Sequence, residues 1–195
     1  MPSDIIAALE PVVAVLAGVG ASYRIGGSVA SSALGVPRST LDVDLVCDLN
    51  PSQVAPFAAA LGGAYYVDAD MIREAIRDES SFNLIHLATV LKIDIFVRKS
   101  RPWDREAFSR SVRKRLDVSG DGPEFDLTTA EDIVLHKLVW FKLGEGVSER
   151  QWRDAVGVIA VQEQSLDREY LSRWAAALGV PDLLERAFAE AALEP

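Results

Sequence analysis

Apolar positions at helical spacing open the chain. Ile5, Leu9, Val12, Val13 and Leu16 share one face of residues 4–18, which predicts a helix with Ser3 as a candidate N-cap. A short apolar run over residues 21–25 then reads as a strand ending in Gly26-Gly27-Ser28, and small residues over 29–34 read as a helix closed by Gly35-Val36-Pro37. The period then changes. Over residues 41–47 apolar and acidic positions alternate, so a strand there sets Leu41, Val43 and Leu45 on one face and Asp42 and Asp44 on the other. After Asn50-Pro51 a helix ends at Gly62-Gly63, a brief apolar piece covers 64–67, and a helix covers 70–78. Residues 82–87 and 91–97 read as two strands of a hairpin, the second with Asp94 set between Ile93 and Ile95.

Past a turn at Gly120 to Pro123 the pattern is helical to the end, with helices predicted over 129–142, 148–162, 167–178 and 181–192. Thr128, ahead of Glu131-Asp132, is the expected cap of the first; Gly144 and Gly179 close two of them and Pro181 opens the last. The chain thus divides into an α/β part, residues 1–125, and a helical part, residues 126–195, with no internal repeat.

With 195 residues, 49% of them hydrophobic, the chain is long enough to bury a core without staples, which excludes disorder, collagen and disulfide scaffolds. A lone cysteine, Cys47, makes no internal disulfide and fits a small core position in a reducing, cytoplasmic setting. The apolar stretch over residues 11–21 is shorter than the roughly 20 residues a membrane span needs, so no membrane partner is expected. His86 and His136 are the only histidines and have no cysteine beside them, which excludes a zinc site.

The formal charge of -9 argues against a polyanionic partner only if it is evenly spread, and it is not. Residues 1–97 carry -6 and residues 116–195 carry -9, whereas residues 98–115 carry +6 from Arg98, Lys99, Arg101, Arg105, Arg110, Arg113, Lys114 and Arg115 against Asp104 and Glu106. That segment is either the solvated face of a surface helix or a patch for phosphates. Of the four tryptophans, expected mostly in the core, Trp103 lies within it and is a candidate for stacking on a base.

Asp42 and Asp44 on one face of a strand repel each other and require a counter-charge, and Mg²⁺ takes one or two carboxylates together with phosphate oxygens and water. The alternative is an exposed edge strand with solvated acids. Asp94 sits in an apolar strand where aspartate is disfavoured; a salt bridge to Arg or Lys explains it as readily as a metal does. Three acids on neighbouring strands suit two metal ions clamping an in-line phosphoryl displacement. Gly26-Gly27-Ser28, between strand and helix, lets backbone approach an anion, though such a turn is often only a turn.

In combination these pieces resemble the nucleotidyltransferase superfamily with the polymerase-β-like fold. Ile25-Gly26-Gly27-Ser28, a spacer of 13 residues, Asp42-Val43-Asp44-Leu45 and later Lys92-Ile93-Asp94-Ile95 follow its pattern over residues 20–97. The resemblance implies an α/β (α+β) core, a mixed sheet flanked by helices, followed by a C-terminal helical bundle that closes the nucleotide cleft. It also implies an NTP substrate on Gly26, Gly27 and Ser28, and Mg²⁺, two ions, on Asp42, Asp44 and Asp94, with Asp94 helping to deprotonate an acceptor hydroxyl. Gly35-Val36-Pro37-Arg38-Ser39-Thr40-Leu41-Asp42 looks like the AbiEii-type toxin group, and residues 131–138 and 151–154 are more loosely similar to its helical segments. That similarity makes Arg38, Lys137 and Asp154 candidates for the nucleotide cleft, against local alternatives: a snorkelling Lys137 and an Asp154 paired with Arg150. A second Asp common after the latter motif is absent, Val156-Gly157 standing there. The expected activity is transfer of an NMP to a hydroxyl, the acceptor being tRNA or another RNA held by the basic segment, in a toxin of a toxin-antitoxin or phage-defence system with a cognate protein partner. An antibiotic-modifying adenylyltransferase and a non-catalytic antitoxin or binding protein of the same fold are the alternatives.

Overall fold

The computed structural model describes residues 2–40, 42–117 and 121–193, without the side chains of Pro2 and Ser3. The expectations for Ser3 as a cap, Leu41 in its strand and Gly120 in its turn fall outside the described residues.

In chain order the elements are α1 (Pro2–Gly18), β1 (Tyr23–Ile25), α2 (Gly27–Leu34), β2 (Asp42–Cys47), α3 (Val54–Leu61), β3 (Tyr65–Tyr66), α4 (Ala69–Arg77), β4 (Ser81–His86), β5 (Leu91–Val97), α5 (Pro102–Ser109), β6 (Val112–Arg115), β7 (Glu124–Leu127), α6 (Ala130–Leu143), α7 (Glu149–Gln162), α8 (Arg168–Leu178) and α9 (Pro181–Ala191). They form two compact units, one of Met1–Gly27 with Ser39–Leu127 and one of Ser28–Arg38 with Thr128–Pro195.

Among the described residues the first unit holds one seven-stranded sheet, ordered β3-β4-β5-β2-β1-β7-β6. The sheet is mixed: β2 with β5 and β1 with β7 run parallel, the remaining pairs antiparallel. The alternation in β2 and β5 does what period-2 geometry dictates: Val43, Leu45, Ile93 and Ile95 are fully buried, as are Leu9, Val12 and Leu16 of α1 and Phe57 of α3. Such side chains contribute about 1.5–3 kcal/mol each on leaving water. Cys47 belongs to this core, and burial pushes its thiol up to about 12, so it is unreactive at neutral pH.

Two strands, β6 and β7, were not anticipated, and the surface helix offered as one reading of the basic segment covers only its middle. The basic segment folds as α5, with Pro102 in its first turn and Trp103 and Ala107 buried, followed by the edge strand β6. Its partner β7 is Glu-Phe-Asp-Leu, four residues with only two inward apolar positions, Phe125 and Leu127. Its cue is weak, since its pairing with β1 is a long-range one.

The second unit is helical. α6, with Val134, Leu135 and Leu138 buried, packs against α7, whose Ala155, Val158 and Ile159 are buried, and α8 and α9 complete the packing. The cap of α6 is Thr129, one residue later than expected, its hydroxyl accepting from the Asp132 amide. Gly35 and Gly157 let the chain after α2 approach α7 closely. A Cβ on Gly35 would come within 2.9 Å of Val158 backbone, and one on Gly157 would touch Val36 at 3.2 Å.

Candidate functional site: an acid face and a buried ionic cluster

Asp42 and Asp44 project from the middle strand of the sheet, not from an edge, which removes the edge-strand alternative. The parallel register of β2 and β5 pairs Asp44 with Asp94 and Asp42 with Lys92, and β4 sets Asn83 opposite Asp94. Paired residues share a face, so three carboxylates and one ammonium line a single side of the sheet over two rungs. Lys92 Nζ lies 2.9 Å from Asp94 Oδ2, the salt-bridge alternative for Asp94. This hydrogen bond to Asp94, with the charges of Asp94, Asp42 and Asp44, raises the Lys92 pKa above the ordinary lysine value against a smaller opposing cost of desolvation.

Gly27 explains why the glycine pair precedes this face. Its φ is +55°, and a Cβ there would lie 1.7 Å from Asp44 Oδ2. Only glycine allows the backbone to pass against that carboxylate in this conformation. The Gly26 amide donates to the Asp44 carbonyl at 2.9 Å, fixing the turn to β2.

In the second unit Asp154, on α7, is the centre of an ionic cluster. Its Oδ2 accepts from Lys137 Nζ at 2.7 Å and from Arg38 Nη2 at 2.9 Å; its Oδ1 accepts from Arg38 Nε at 2.7 Å. Ser31 donates to it at 3.2 Å, and Arg38 Nη2 also donates to the Ser28 hydroxyl. Burial acts to raise the Asp154 pKa, but the hydrogen bonds and charges of Arg38 and Lys137 outweigh it and leave the pKa below the ordinary value. The bond to Asp154 raises that of Arg38. Neither local alternative holds: Lys137 does not snorkel, being 4% exposed, and Asp154 pairs across the unit rather than with Arg150. Arg38, with a side chain 27% exposed, is the cation of the cluster that reaches solvent. The Val156-Gly157 departure from the expected motif is the surface on which Val36 rests, and it seats the loop that carries Arg38.

The basic segment is less positive than its count. Arg101 pairs with Asp104, Arg113 with Asp126 and Arg115 with Glu124, while Arg98 and Arg24 flank the Phe108 ring at 5.7 and 5.0 Å. Lys99, Arg105 and Lys114 remain exposed. Trp103 is buried and offers no face to a base; Trp140, 53% exposed, is the tryptophan at the surface. A groove of about 460 Å³ in the second unit, among Phe141, Lys142, Gly146, Gly179 and Val180, is lined by none of the predicted site residues.

No family model matches the chain, and no curated protein matches it. Solved structures do. That of the antibiotic-resistance factor ANT(2'')-Ia is similar over 91% of this chain and 96% of that one, with a TM-score of 0.54 and 16% identity. The fold is nucleotidyltransferase-like. An antigenic nucleotidyltransferase-like protein from Paracoccidioides brasiliensis is similar over 93% and 91% of the two chains, with a TM-score of 0.52 and 17% identity. At these identities the likeness is one of fold.

Asp42, Asp44 and Asp94 supply hard oxygen donors on one face of the sheet. Among the described residues no three His, Cys, Asp or Glu side chains are gathered as a ready-made cage, but Mg²⁺ needs only one or two protein carboxylates when phosphate and water complete its shell. The residue sequence reasoning passed over is Lys92. Its signal was available, since a lysine two positions before an acid on a strand shares its face. No helix among the described residues is long and apolar enough to cross a membrane.

Proposed function

We propose that the chain is a Mg²⁺-dependent nucleotidyltransferase that moves an NMP from an NTP to a hydroxyl acceptor and releases pyrophosphate. The observation that carries this is the seat of Gly27 against Asp44, with Asp44 and Asp94 side by side on β2 and β5. Asp42 and Asp44 would hold Mg²⁺, which supplies charge neutralisation for the phosphates and for the leaving pyrophosphate. The acceptor oxygen forms a bond to the α-phosphorus as the bond from that phosphorus to the α,β-bridging oxygen breaks, and Asp94 takes the acceptor's proton. Gly26 and Gly27 keep side chains away from the triphosphate, and the Ser28 hydroxyl and the Arg38 guanidinium are the anion-binding groups of the second unit. Lys137 and Asp154 serve by holding Arg38: a guanidinium fixed at two nitrogens keeps its orientation without further ordering. In such a reaction positioning and charge do most of the work.

The acceptor proposed is an RNA end, tRNA included, engaged through exposed Lys99, Arg105 and Lys114, in an AbiEii-type toxin with a cognate protein partner. A second reading, an antibiotic-modifying adenylyltransferase, is favoured by the likeness to a resistance factor. Label transfer from each α-labelled NTP to cellular RNA or to an antibiotic bearing hydroxyl groups separates them, and expression that confers resistance supports the second. Transfer that stops with EDTA and with Asp42→Ala/Asp44→Ala is the expected result. A wild-type protein that neither transfers label nor binds NTP contradicts both, and a tight co-purifying protein with silent transfer points to the non-catalytic alternative.

A further inference from the structure

We propose that Arg24 and Arg98, gathered at the Phe108 ring, form an anion site on the acid-bearing face of the sheet that takes a backbone phosphate of RNA. That this RNA is the acceptor rests on the proposed transfer reaction; the site itself rests on its own residues. Arg24 of β1 lies opposite Val46, and Val46 opposite Phe96 of β5, two positions past Asp44 and Asp94. Residues two apart on a strand share a face, so Arg24 stands on the face that carries the three acids. Two residues advance about 7 Å along a strand and neighbouring strands lie about 5 Å apart, which sets the Arg24 Cα roughly 8 Å from that of Asp44. Arg98 follows the last residue of β5, and its amide donates to the Cys47 carbonyl at 2.8 Å.

The guanidinium carbons of Arg24 and Arg98 lie 5.0 and 5.7 Å from the centre of the Phe108 ring, and all three side chains are half-buried. The ring attracts each cation, yet two cations at one ring repel each other. Among the described residues no carboxylate pairs with either, whereas Arg101, Arg113 and Arg115 nearby each have one. Arg24 is also held in place, its Nε donating to the Arg110 carbonyl at 3.0 Å and its Nη1 to the Tyr23 carbonyl. A fixed guanidinium fork matches phosphate oxygens in geometry as well as charge. The cations continue beyond the ring. Exposed Lys99 follows Arg98, and exposed Arg105 lies three residues before Phe108 on α5, hence on the same side of that helix. A row of cations suits a strand of phosphates better than a single anion.

The test is binding of a fluorescein-labelled single-stranded oligoribonucleotide to the full chain, in EDTA and without NTP, followed by anisotropy across about 50–200 mM salt. Arg24→Gln and Arg98→Gln are each expected to weaken binding several-fold and to flatten the slope of log affinity against log salt by about 0.7, and the double variant by about 1.4. Arg98→Lys should keep the wild-type slope, and so should Arg113→Gln, whose arginine is paired with Asp126. Thermal melts establish that each variant is folded, and Arg98→Gln carries the test should Arg24→Gln, which loses two carbonyl contacts, fail to fold. Folded Arg98→Gln with the affinity and salt slope of wild type overturns the inference, even where nucleotidyl transfer is found. A wild type that binds no RNA overturns it too. So do variants that lose calorimetric binding of pyrophosphate while RNA binding is unchanged, because the site then takes a free phosphate. The expected change of slope in a chain that transfers no label supports the site and removes the proposed reaction.

Discussion

The two units use the same ingredients in opposite proportion. On the sheet of the first, three carboxylates lie on one face and Lys92 pairs with Asp94 at the surface; within the helices of the second, one carboxylate is shared by Lys137 and Arg38. Burial separates them further. Around Lys92 water screens the charges and the pair is weak and exchangeable. Around Asp154 there is little water, so the pair is strong only while every member is present. A loosely held ion pair at an exposed face suits a site that must exchange cations, and cations locked by hydrogen bonds to a buried carboxylate suit one that must hold a donor still.

The largest effect should come from breaking the buried cluster. Asp154→Ala leaves the Lys137 ammonium buried without a carboxylate, and urea unfolding should show a loss of about 3–5 kcal/mol. Replacing both partners, as Lys137→Met with Asp154→Leu, should recover much of it. If the double variant is no better than the single, the cluster is not the self-contained unit described. Next comes Gly27→Ala, which strains a positive φ and drives a methyl into Asp44. A stability loss of about 1–3 kcal/mol is expected, together with weaker Mn²⁺ binding, whereas the same change at Gly18, which meets nothing within 4 Å, should leave Mn²⁺ binding unchanged.

Acid should then distinguish the units. Asp154 has its folded-state pKa depressed, so the unfolded chain takes up protons more readily on acidification. The stability Asp154 contributes is complete above the unfolded value of about 3.9 and is lost as pH falls through the folded one. Unfolding free energies between pH 7 and pH 3 should therefore drop less steeply for Asp154→Asn than for wild type. The smallest effect is expected at the sheet edge. Arg113→Ala removes an exposed pair with Asp126 and should change stability by no more than about 0.5 kcal/mol. A triple Lys99→Ala/Arg105→Ala/Lys114→Ala variant should instead lower RNA affinity and its salt dependence.

How much of this was legible in the sequence follows from the range of the interactions. The β2 alternation and the β4–β5 hairpin are local, and their faces and pairing could be read directly; so could the helix ends at Gly144 and Gly179. The approach of Gly27 to Asp44 was legible only as a glycine in the right place. Asp154 is the clearest case of what was not. Its partners lie 17 and 116 positions away, so sequence offered only the nearby Arg150. The basic segment was misjudged for a related reason: half of a cross-strand ion pair, Arg113 or Arg115, looks like surplus charge until β7 supplies Asp126 and Glu124.

The central claim is that the acid face binds a nucleoside triphosphate through Mg²⁺. Calorimetric titration of each NTP into wild type and into Asp42→Ala/Asp44→Ala, with Mg²⁺ and with EDTA, tests it most directly. The account predicts saturable binding of at least one NTP to wild type that requires Mg²⁺ and is lost in the double variant. Binding of equal affinity to the double variant, or to wild type in EDTA, would contradict it.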